Sequence, residues 1–506
     1  MCGIFAILQP ADRIHADAVE RALASLRHRG PDDRGIWSDP QAGVILGQTR
    51  LSIQDTSDAG HQPMVSATGR FVLTFNGEIY NHRELRARLE SDGPQGSGGI
   101  AWRGHSDTET LLACIESWGL DQAIEQARGM FAIALWDREL RQLSLVRDRV
   151  GEKPLYYGRI GACFTVASEA RAFVAMAGKP LTIDRRAVGL LTRFGAIPAP
   201  RSIYEGISKL EPGHCLSLGI EEVGQCELPA TKPWWRASTL AHEFASHQRP
   251  FASDAEAIDA LHSCLGAAVQ RQLISDVPLG AFLSGGVDSS IVVALMQAQA
   301  KKDGADPVRT FSIGFHERGY NEAQYAKRVA AHLQTRHTEL YVSEADCLAV
   351  VPRLATIYDE PFADSSQIGV CLVSNLAAGH VTVALTGDGG DEVFGGYNRY
   401  TRAAGLWRRM ERLPFALRRR LAAACVSTVG KAVAHSADDV GQLLQGMVKL
   451  PRVGDRVEKL ADLLSSRDSR EMYLGLVEYW GHDEVMLEPV ETLGLLDEGW
   501  PALPPL

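Results

Sequence analysis

The chain opens with the stretch MCGIFAIL, residues 1–8, in which a cysteine at position two precedes an apolar run. The run has the length and composition of a buried β-strand. Aminopeptidases remove an initiator methionine when a small residue follows, which would leave Cys2 with both a thiol and a free α-amine. An amine with a pKa of roughly 7.7–8.0 can accept the thiol proton, so Cys2 is a candidate N-terminal nucleophile. The alternative is a chance cysteine at the start of an edge strand.

Further short apolar runs, separated by turn residues, follow this first strand in the N-terminal part of the chain. The spacing predicts antiparallel sheets, interrupted by two helices. The predicted strands are 3–8, 43–49, 71–75, 130–136, 143–147 and 163–167, and the predicted helices are 16–26 and 108–118. We therefore expect an α+β domain over residues 1–215, followed by a surface linker over residues 216–254.

The pattern changes after residue 254, where apolar strands alternate with helices. Strands are predicted at 278–283, 310–315 and 381–385, and helices at 290–299 and 322–333. Such alternation is typical of βαβ units and of a parallel sheet with helices on both faces. The sequence therefore predicts an α/β domain over residues 255–506.

The bulk composition excludes several classes of protein. The net charge of −10 argues against a nucleic-acid partner, and no apolar stretch reaches the ~20 residues that span a bilayer. The nine cysteines include no CxxC pair, so neither a zinc knuckle nor a thioredoxin-like site is indicated. We expect reduced thiols in a cytoplasmic protein without nucleic-acid or membrane partners.

Three polar motifs in the first domain could complete a site around Cys2. Asn76 and Gly77 follow a predicted strand, where a side-chain amide and a backbone N–H could form an oxyanion hole. Arg50 could hold a carboxylate bidentately, and Asp107 could pair with an ammonium group. The alternatives are a hairpin turn for Asn-Gly, a solvated strand-end arginine, and a helix N-cap at Ser106-Asp107.

Two glycine-rich loops in the second domain predict a phosphate site. The loop LSGGVDSS, residues 283–290, lies between a strand and a helix, where backbone N–H groups can bind a pyrophosphate. It lacks the lysine of a Walker A loop, so a metal must carry more of the phosphate charge. The loop TGDGGDE, residues 386–392, follows another strand, and Asp288 and Asp391 could share Mg²⁺ with the phosphates. The alternative is an ordinary capped strand-to-helix turn.

Five N-terminal motifs, in this order, resemble those of class II glutamine amidotransferases: MCGIFA (1–6), RHRGPD (27–32), RLSI (50–53), NGEIYN (76–81) and SDTE (106–109). The resemblance implies an N-terminal nucleophile fold with αββα layers, in which Cys2 attacks the side-chain amide of glutamine and releases ammonia. Asn76 and Gly77 would form the oxyanion hole. The implied glutamine-binding residues are Arg50, Leu51, Ile53, Gln54, Asn76, Gly77, Glu78 and Asp107.

The loop at 283–290 resembles the pyrophosphate loop of the ATP-pyrophosphatase family. Together with GDGGDEVFGGY (387–397) and the N-terminal motifs, it is similar to glutamine-hydrolysing asparagine synthetases. The resemblance implies a HUP-like α/β domain in which an acceptor carboxylate attacks ATP, and ammonia then displaces AMP from the acyl-adenylate. The implied residues are Leu283, Ile313, Thr386 and Gly387 for adenosine, Ser284, Gly285, Gly286, Asp288 and Ser289 for pyrophosphate, Asp288 and Asp391 for Mg²⁺, and Asp388 in catalysis.

The resemblance leaves the acceptor open. Aspartate is the usual acceptor in this family, which gives asparagine, AMP, pyrophosphate and glutamate, but relatives amidate a sugar uronate or a peptide carboxylate. A glutaminase with an inactive synthetase domain is the third alternative, because no family-like lysine segment occurs after residue 400 and the C-terminal part is expected to be incomplete or divergent. Glutamine, aspartate and ATP are the expected small-molecule partners, and a homodimer is possible.

The sequence also predicts where two further segments lie in the protein. Residues 359–366, DEPFADSS, match a family segment that faces the acceptor site. Trp234 and Trp235, in the predicted linker, are expected to form an inter-domain packing contact rather than a base-stacking platform.

Overall fold

A computed structural model describes residues 1–9, 16–92, 100–223, 228–246, 250–316, 321–427, 461 and 463–480. The strands are β1 (Gly3–Leu8), β2 (Asp33–Asp39), β3 (Val44–Arg50), β4 (Met64–Val65), β5 (Phe71–Ile79), β6 (Gly129–Asp137), β7 (Gln142–Arg147), β8 (Tyr156–Ile160), β9 (Cys163–Ala167), β10 (Ile207–Lys209), β11 (His214–Gly219), β12 (Lys232–Pro233), β13 (Leu279–Phe282), β14 (Arg309–Phe315), β15 (Arg336–Val342) and β16 (Val383–Leu385).

The helices complete the inventory of the described residues. They are α1 (Ala16–Ser25), α2 (His82–Asp92), α3 (Asp107–Trp118), α4 (Leu120–Gln126), α5 (Arg171–Ala177), α6 (Arg185–Phe194), α7 (Ala237–Ser246), α8 (Asp254–Gln272), α9 (Val287–Asp303), α10 (Ala323–Leu333), α11 (Glu344–Val350), α12 (Leu354–Ile357), α13 (Ser366–Ala378), α14 (Gly390–Phe394), α15 (Asn398–Met410), α16 (Phe415–Val426) and α17 (Ser469–Val477). None of them is long and apolar enough to cross a membrane.

Two six-stranded antiparallel sheets form the N-terminal part. One has the order β10-β8-β9-β1-β3-β2, and the other has the order β12-β11-β7-β6-β5-β4. The side chains of β1 explain the layering, since they alternate between two cores. Ile4 and Leu8 pack between the two sheets, whereas Phe5 and Ile7 pack against α1 and α5 on the outer face. A strand that is covered on both faces is apolar throughout, as residues 3–8 are.

The second sheet carries its own outer helical layer. Leu73 and Phe75 of β5 lie in one core with Leu85 of α2 and Leu111 of α3. The layers therefore run helix, sheet, sheet, helix, and the predicted αββα arrangement of the first domain is confirmed.

A four-stranded parallel sheet with the order β15-β14-β13-β16 follows in the chain. Helices cover both faces, because Ala281 of β13 packs with Val293 of α9 while Phe311 of β14 packs with Val373 of α13. The predicted α/β class of the second domain is confirmed.

The described chain forms two compact units that do not coincide with the two sheet regions. The first contains Met1–Val188 and Ile197–Gly387, and thus all three sheets. The second contains Gly189–Ala196 and the described residues from Asp388 onward, where Met410, Leu463 and Met472 form a small core. Within this second unit, Arg193 forms a 2.5 Å ion pair with Glu478.

The segment after residue 215 differs from the predicted surface linker. Strand β11 continues to Gly219 and pairs with β7, so the predicted boundary falls inside a strand. Trp234 stacks on Phe131 with a centroid distance of 6.0 Å, and its indole N–H donates to the carbonyl of Arg147. The prediction of an inter-domain contact for Trp234 is therefore wrong, because its partners belong to the N-terminal sheets.

Candidate active site

Sheet register brings Cys2 to the ends of its neighbouring strands. Gly3 of β1 pairs with Thr49 of β3, so Cys2 lies beside the two residues that end and follow β3, Arg50 and Leu51. The Cys2 thiol donates to the carbonyl of Leu51 at 3.7 Å. The position of Cys2, the predicted nucleophile, is thus set by the pairing of β1 with β3.

Asn76 and Gly77 lie within β5 and not in a turn after it. The predicted strand ended at residue 75, but β5 runs to Ile79 and pairs Asn76 with Ala132 and Gly77 with Phe131. The hairpin alternative for Asn-Gly is therefore excluded. A Cβ atom at Gly77 would lie 2.2 Å from the carbonyl oxygen of Met130, so the close approach of β6 requires glycine.

The Asn76 side chain is buried, and its Nδ2 atom has no hydrogen-bond partner. An orphaned buried donor is costly, by about 1–3 kcal/mol, unless a ligand satisfies it. The amide lies in the wall of the same pocket as the Cys2 thiol. This arrangement suits a donor that acts on a bound carbonyl.

Arg50 is held by the main chain of the loop that follows it. Its Nη1 and Nη2 atoms donate to the carbonyls of Ser57, Gln54 and Asp55, at 3.2, 3.4 and 2.5 Å. Gly60 leaves room for the guanidinium, since a Cβ there would lie 1.9 Å from Nη2. The side chain is buried and fixed in direction, as a carboxylate-binding arginine must be.

Asp107 and Glu78 form a pair of buried carboxyl groups. Asp107 is the first residue of α3, Ser106 is the N-cap, and the Asp107 carboxylate accepts the N–H of Ile79 at 2.8 Å. Burial raises the pKa of Asp107 to about 6. Burial, and then the charge of Asp107, raise the pKa of Glu78 well above its ordinary value. A cationic ligand group would relieve both effects, because it pairs with the ionised carboxylates.

One pocket collects every predicted residue of the glutamine site. Its lining includes the nucleophile and all eight expected binding residues, namely Cys2, Arg50, Leu51, Ile53, Gln54, Asn76, Gly77, Glu78 and Asp107. Gln54 contributes more than main chain, since its Nε2 donates to Glu78 at 2.5 Å.

Lys153 also lines this pocket, although the sequence analysis did not identify it. Its loop is fixed by the fully buried Asp148, which accepts the N–H groups of Phe131, Val150, Glu152 and Lys153. Burial lowers the pKa of the Lys153 ammonium. A lysine in a turn between strands is an ordinary surface pattern, so only the three-dimensional arrangement identifies it.

The N-terminal residue Met1 lines the pocket, although it is 53% exposed as a whole. Burial lowers the pKa of the Met1 amine to about 6, and burial raises the pKa of the Cys2 thiol. A thiol in this setting needs a neighbouring base, and an amine with a depressed pKa is neutral at pH 7. The environment therefore suits an α-amine that accepts the proton of Cys2 after Met1 is removed.

The loop at 283–290 connects β13 to α9 and is organised by its serines. The hydroxyls of Ser284 and Ser289 lie 3.0 Å apart, and the N–H of Gly286 donates to Ser284. Gly285 has a φ of +83°, and a Cβ there would lie 2.5 Å from the backbone of Ala326. The N–H groups at the start of the 17-residue helix α9 thus face the loop, as in anion sites at helix N-termini.

Register also places the predicted adenosine residues along one edge of the parallel sheet. Leu283 follows β13 and Thr386 follows β16, whose Leu385 pairs with Ala281. Ile313 lies on β14, two residues beyond the partner of Phe282. Gly387 touches the start of α9, since a Cβ there would lie 2.6 Å from the nitrogen of Ser289. The loop at 283–290 and the residues Thr386 and Gly387 therefore lie together at the carboxyl edge, where ligands of such sheets bind.

The predicted metal and catalytic carboxylates lie on two separate units. Asp288 is half-buried on the first turn of α9, while Asp388 is exposed before α14 and Asp391 is half-buried on α14. Among the described residues, no group of three His, Cys, Asp or Glu side chains could hold a metal by itself. Mg²⁺ usually binds one or two carboxylates together with substrate phosphates, so each of Asp288 and Asp391, taken by itself, is a donor of the type that Mg²⁺ prefers.

Comparison with known proteins agrees with this arrangement. Residues 1–235 match the glutamine amidotransferase domain family, and residues 260–492 match the asparagine synthase family. Among solved structures, a glutamine phosphoribosylpyrophosphate amidotransferase of Bacillus subtilis is 17% identical, covers 72% of this chain and 94% of its own, and has a TM-score of 0.36. That similarity is too low to support an inference about the present chain.

Curated relatives are similar over most of the chain. A Mycobacterium tuberculosis protein, provisionally named a glutamine-hydrolysing asparagine synthetase, is 32% identical over 96% of this chain and 72% of its own. A second provisionally named one, from Methanocaldococcus jannaschii, is 34% identical over 78% of this chain and 76% of its own. Asparagine synthetase (glutamine-hydrolysing) 1 of Bacillus subtilis is 32% identical over 83% of this chain and 62% of its own. The chain therefore belongs to the glutamine-hydrolysing asparagine synthetase family.

Proposed function

We propose that this chain releases ammonia from glutamine at Cys2 and uses it, with ATP, to convert aspartate to asparagine. The observation that carries the proposal is the single pocket that unites a thiol, an orphaned buried amide, a fixed arginine and a buried aspartate. These groups match the four parts of glutamine that the reaction must address. They are the amide carbon, the amide oxygen, the α-carboxylate and the α-ammonium.

The glutaminase half begins with proton transfer from the Cys2 thiol to the α-amine, directly or through water. The thiolate attacks the amide carbon, and negative charge develops on the carbonyl oxygen. Asn76 Nδ2 and the N–H of Gly77 stabilise that charge. The protonated amine returns its proton to the leaving nitrogen, ammonia departs, and water hydrolyses the thioester to glutamate.

Arg50 and Asp107 hold the other end of the substrate. The guanidinium binds the α-carboxylate with the donors that its own loop leaves available. The Asp107 carboxylate pairs with the α-ammonium, which offsets the desolvation of both groups. Leu51, Ile53, Gln54 and Glu78 contribute the remaining walls of the pocket.

The synthetase half uses the two loops at the edge of the parallel sheet. Leu283, Ile313, Thr386 and Gly387 would contact the adenosine, and the loop from Ser284 to Ser289 would bind the pyrophosphate portion of ATP. The aspartate side-chain carboxylate attacks the α-phosphate and pyrophosphate leaves. Ammonia then attacks the acyl carbon, AMP leaves, and Asp388 would take a proton from the attacking nitrogen. Mg²⁺, held by Asp288 and Asp391, would neutralise phosphate charge.

The acceptor is the least constrained part of the proposal. The names of the relatives support aspartate, whereas a sugar uronate or peptide acceptor and an inactive synthetase domain are the alternatives from the sequence. A cytoplasmic location, the use of Mg²⁺ and a homodimer are further predictions that rest on the sequence and the family resemblance.

Pyrophosphate release separates these alternatives. The purified chain is supplied with ATP, Mg²⁺, ammonia and one of several carboxylates: aspartate, a uronate or a peptide. Release that depends on aspartate, with asparagine and AMP in equal amounts, is the expected result. Release with another carboxylate alone would change the acceptor, and none with any acceptor would contradict the synthetase half.

A further inference from the structure

Two adjacent acidic residues of the α/β half, Asp359 and Glu360, contact the N-terminal sheet region within the first compact unit. They open the segment 359–366, and their side chains are only about a tenth exposed. Neither residue has a role in the reaction as proposed above. The two carboxylates bind different partners, and only the partners of Asp359 connect to Cys2.

Asp359 binds the start of α5 in three ways. Its carboxylate accepts the N–H groups of Ala170 and Arg171, the latter at 2.9 Å, and it lies 3.2 Å from the Arg171 Nε atom. A carboxylate at the first amides of a helix is favourable, and here it also meets a guanidinium. Asp359 therefore fixes both the backbone and the side chain of Arg171.

From Arg171 an unbroken series of polar contacts leads to the nucleophile. The Arg171 Nε atom forms an ion pair with Glu169 Oε2 at 2.8 Å that lacks hydrogen-bond geometry, whereas Arg29 Nη1 donates a hydrogen bond to Glu169 Oε1 at 2.6 Å. Arg29 Nε donates to the carbonyl of Cys2 at 2.9 Å. The side chains of Arg29 and Glu169 are 7% and 8% exposed, so solvent screens these charges little.

Glu360 makes equally buried contacts that do not lead to Cys2. Its carboxylate accepts the hydroxyl of Tyr156 at 3.0 Å and the N–H of Ile203 at 2.7 Å, and it pairs with Lys209. It therefore attaches the same segment to the same sheet region without touching Arg171, Glu169 or Arg29. Glu360 is thus a neighbouring carboxylate of similar burial on the same sheet region, with its own set of partners.

We propose that Asp359 is a positioning residue for Cys2, acting through Arg171, Glu169 and Arg29 on the Cys2 carbonyl. The inference rests on the proposed role of Cys2 as nucleophile. When Asp359 loses its charge, Arg171 keeps Glu169 as its only anionic partner in this series, and the pair is free to move away from Arg29. Small displacements of a nucleophile reduce the rate of attack much more than they weaken substrate binding.

The test measures glutamate formation by the full-length chain with glutamine as sole substrate. In Asp359→Asn we expect kcat to fall by about five- to tenfold while KM for glutamine stays within about twofold of wild type. In Glu360→Gln we expect both constants to stay within about twofold. Equal losses in the two variants, or a wild-type kcat in Asp359→Asn, would overturn the proposal, because the contact would then serve attachment only.

Arg171→Gln gives a second route to the same answer if Asp359→Asn does not fold, as judged by its thermal unfolding. It breaks the same series one step closer to Cys2, so the same fall in kcat with unchanged KM is expected. In a double variant the two losses should not add, because both remove one pathway. A wild-type kcat in Arg171→Gln contradicts the inference. A wild-type chain that makes no glutamate contradicts the proposed function instead.

Discussion

The Asn76 side chain is the most specific feature of the site at the scale of single residues. A buried amide nitrogen without a partner is unusual in a folded protein, and this one shares a pocket with a thiol. The sequence could propose Asn76 only as half of a turn dipeptide or as an oxyanion donor. The extension of β5 through Asn76 removes the first of these.

Replacement of Asn76 by alanine should lower kcat for glutamine hydrolysis by about 10²–10³-fold, because one donor to the oxyanion is lost. The KM for glutamine should change little, since the donor acts most strongly in the transition state. Thr74→Val is a matched control, because Thr74 is buried two residues earlier on the same face of β5. A kcat within threefold of wild type in Asn76→Ala would remove Asn76 from the mechanism.

The protonation of Asp107 should determine how kcat/KM for glutamine depends on pH. Its pKa of about 6, raised by burial, means that it becomes neutral as the pH falls below that value. A neutral carboxyl cannot pair with the substrate ammonium, so kcat/KM for glutamine should fall about tenfold per pH unit below pH 6.

Asp107→Asn provides the control for this dependence. The variant should have a low kcat/KM at every pH and should lack the inflection near pH 6, whereas the ammonia-dependent reaction should keep its own pH profile. An inflection that persists unchanged in Asp107→Asn would assign the titration to another group.

At the scale of elements, the loop after β7 depends on one carboxylate. Asp148 is fully buried and accepts four backbone N–H groups of the residues around it. Asp148→Ala would leave these donors unsatisfied and should lower the free energy of unfolding by about 3 kcal/mol or more.

Urea unfolding of the full chain, followed by tryptophan fluorescence, measures this effect. Asp17→Ala on the exposed face of α1 is the control and should lie within about 0.5 kcal/mol of wild type. The account of this loop is wrong if Asp148→Ala is as stable as the control.

Most of the strands that the sequence predicted lie in the interior of their sheets and are largely buried. Residues 163–167 were predicted as a strand, and β9 has those bounds, because four of its five residues are buried. The edge strands β2 and β15 were not predicted, since they carry charged residues such as the exposed Arg34 and the ion-paired Glu339. Polar side chains at a sheet edge remove the apolar pattern on which the prediction depends.

In the candidate site, too, residues within short motifs could be predicted, whereas residues brought there by the fold could not. Short motifs identified Cys2, Arg50 and Asp107 because each stands at the end of an element. Lys153 and Glu169 were not identified as site residues, and Asp359 was predicted only as part of a segment that faces the acceptor site, since their contacts depend on sheet register and loop packing. From sequence alone, a charged residue outside a recognisable motif is predicted to lie on the surface.

At the scale of the whole molecule, two reactions are joined in one chain of a known family. We propose that ammonia is released in the N-terminal pocket and that the ATP chemistry takes place at the edge of the parallel sheet. A change confined to the first site should therefore leave the second able to use ammonia from solution.

Cys2→Ala tests this division most directly, with pyrophosphate release measured under ATP, Mg²⁺ and aspartate and with either glutamine or ammonium chloride as nitrogen source. The account predicts loss of the glutamine-dependent rate by at least about 10³-fold, with the ammonia-dependent rate within about twofold of wild type. Equal loss of both rates would make Cys2 a structural residue, and an undiminished glutamine-dependent rate would show that Cys2 is not the nucleophile.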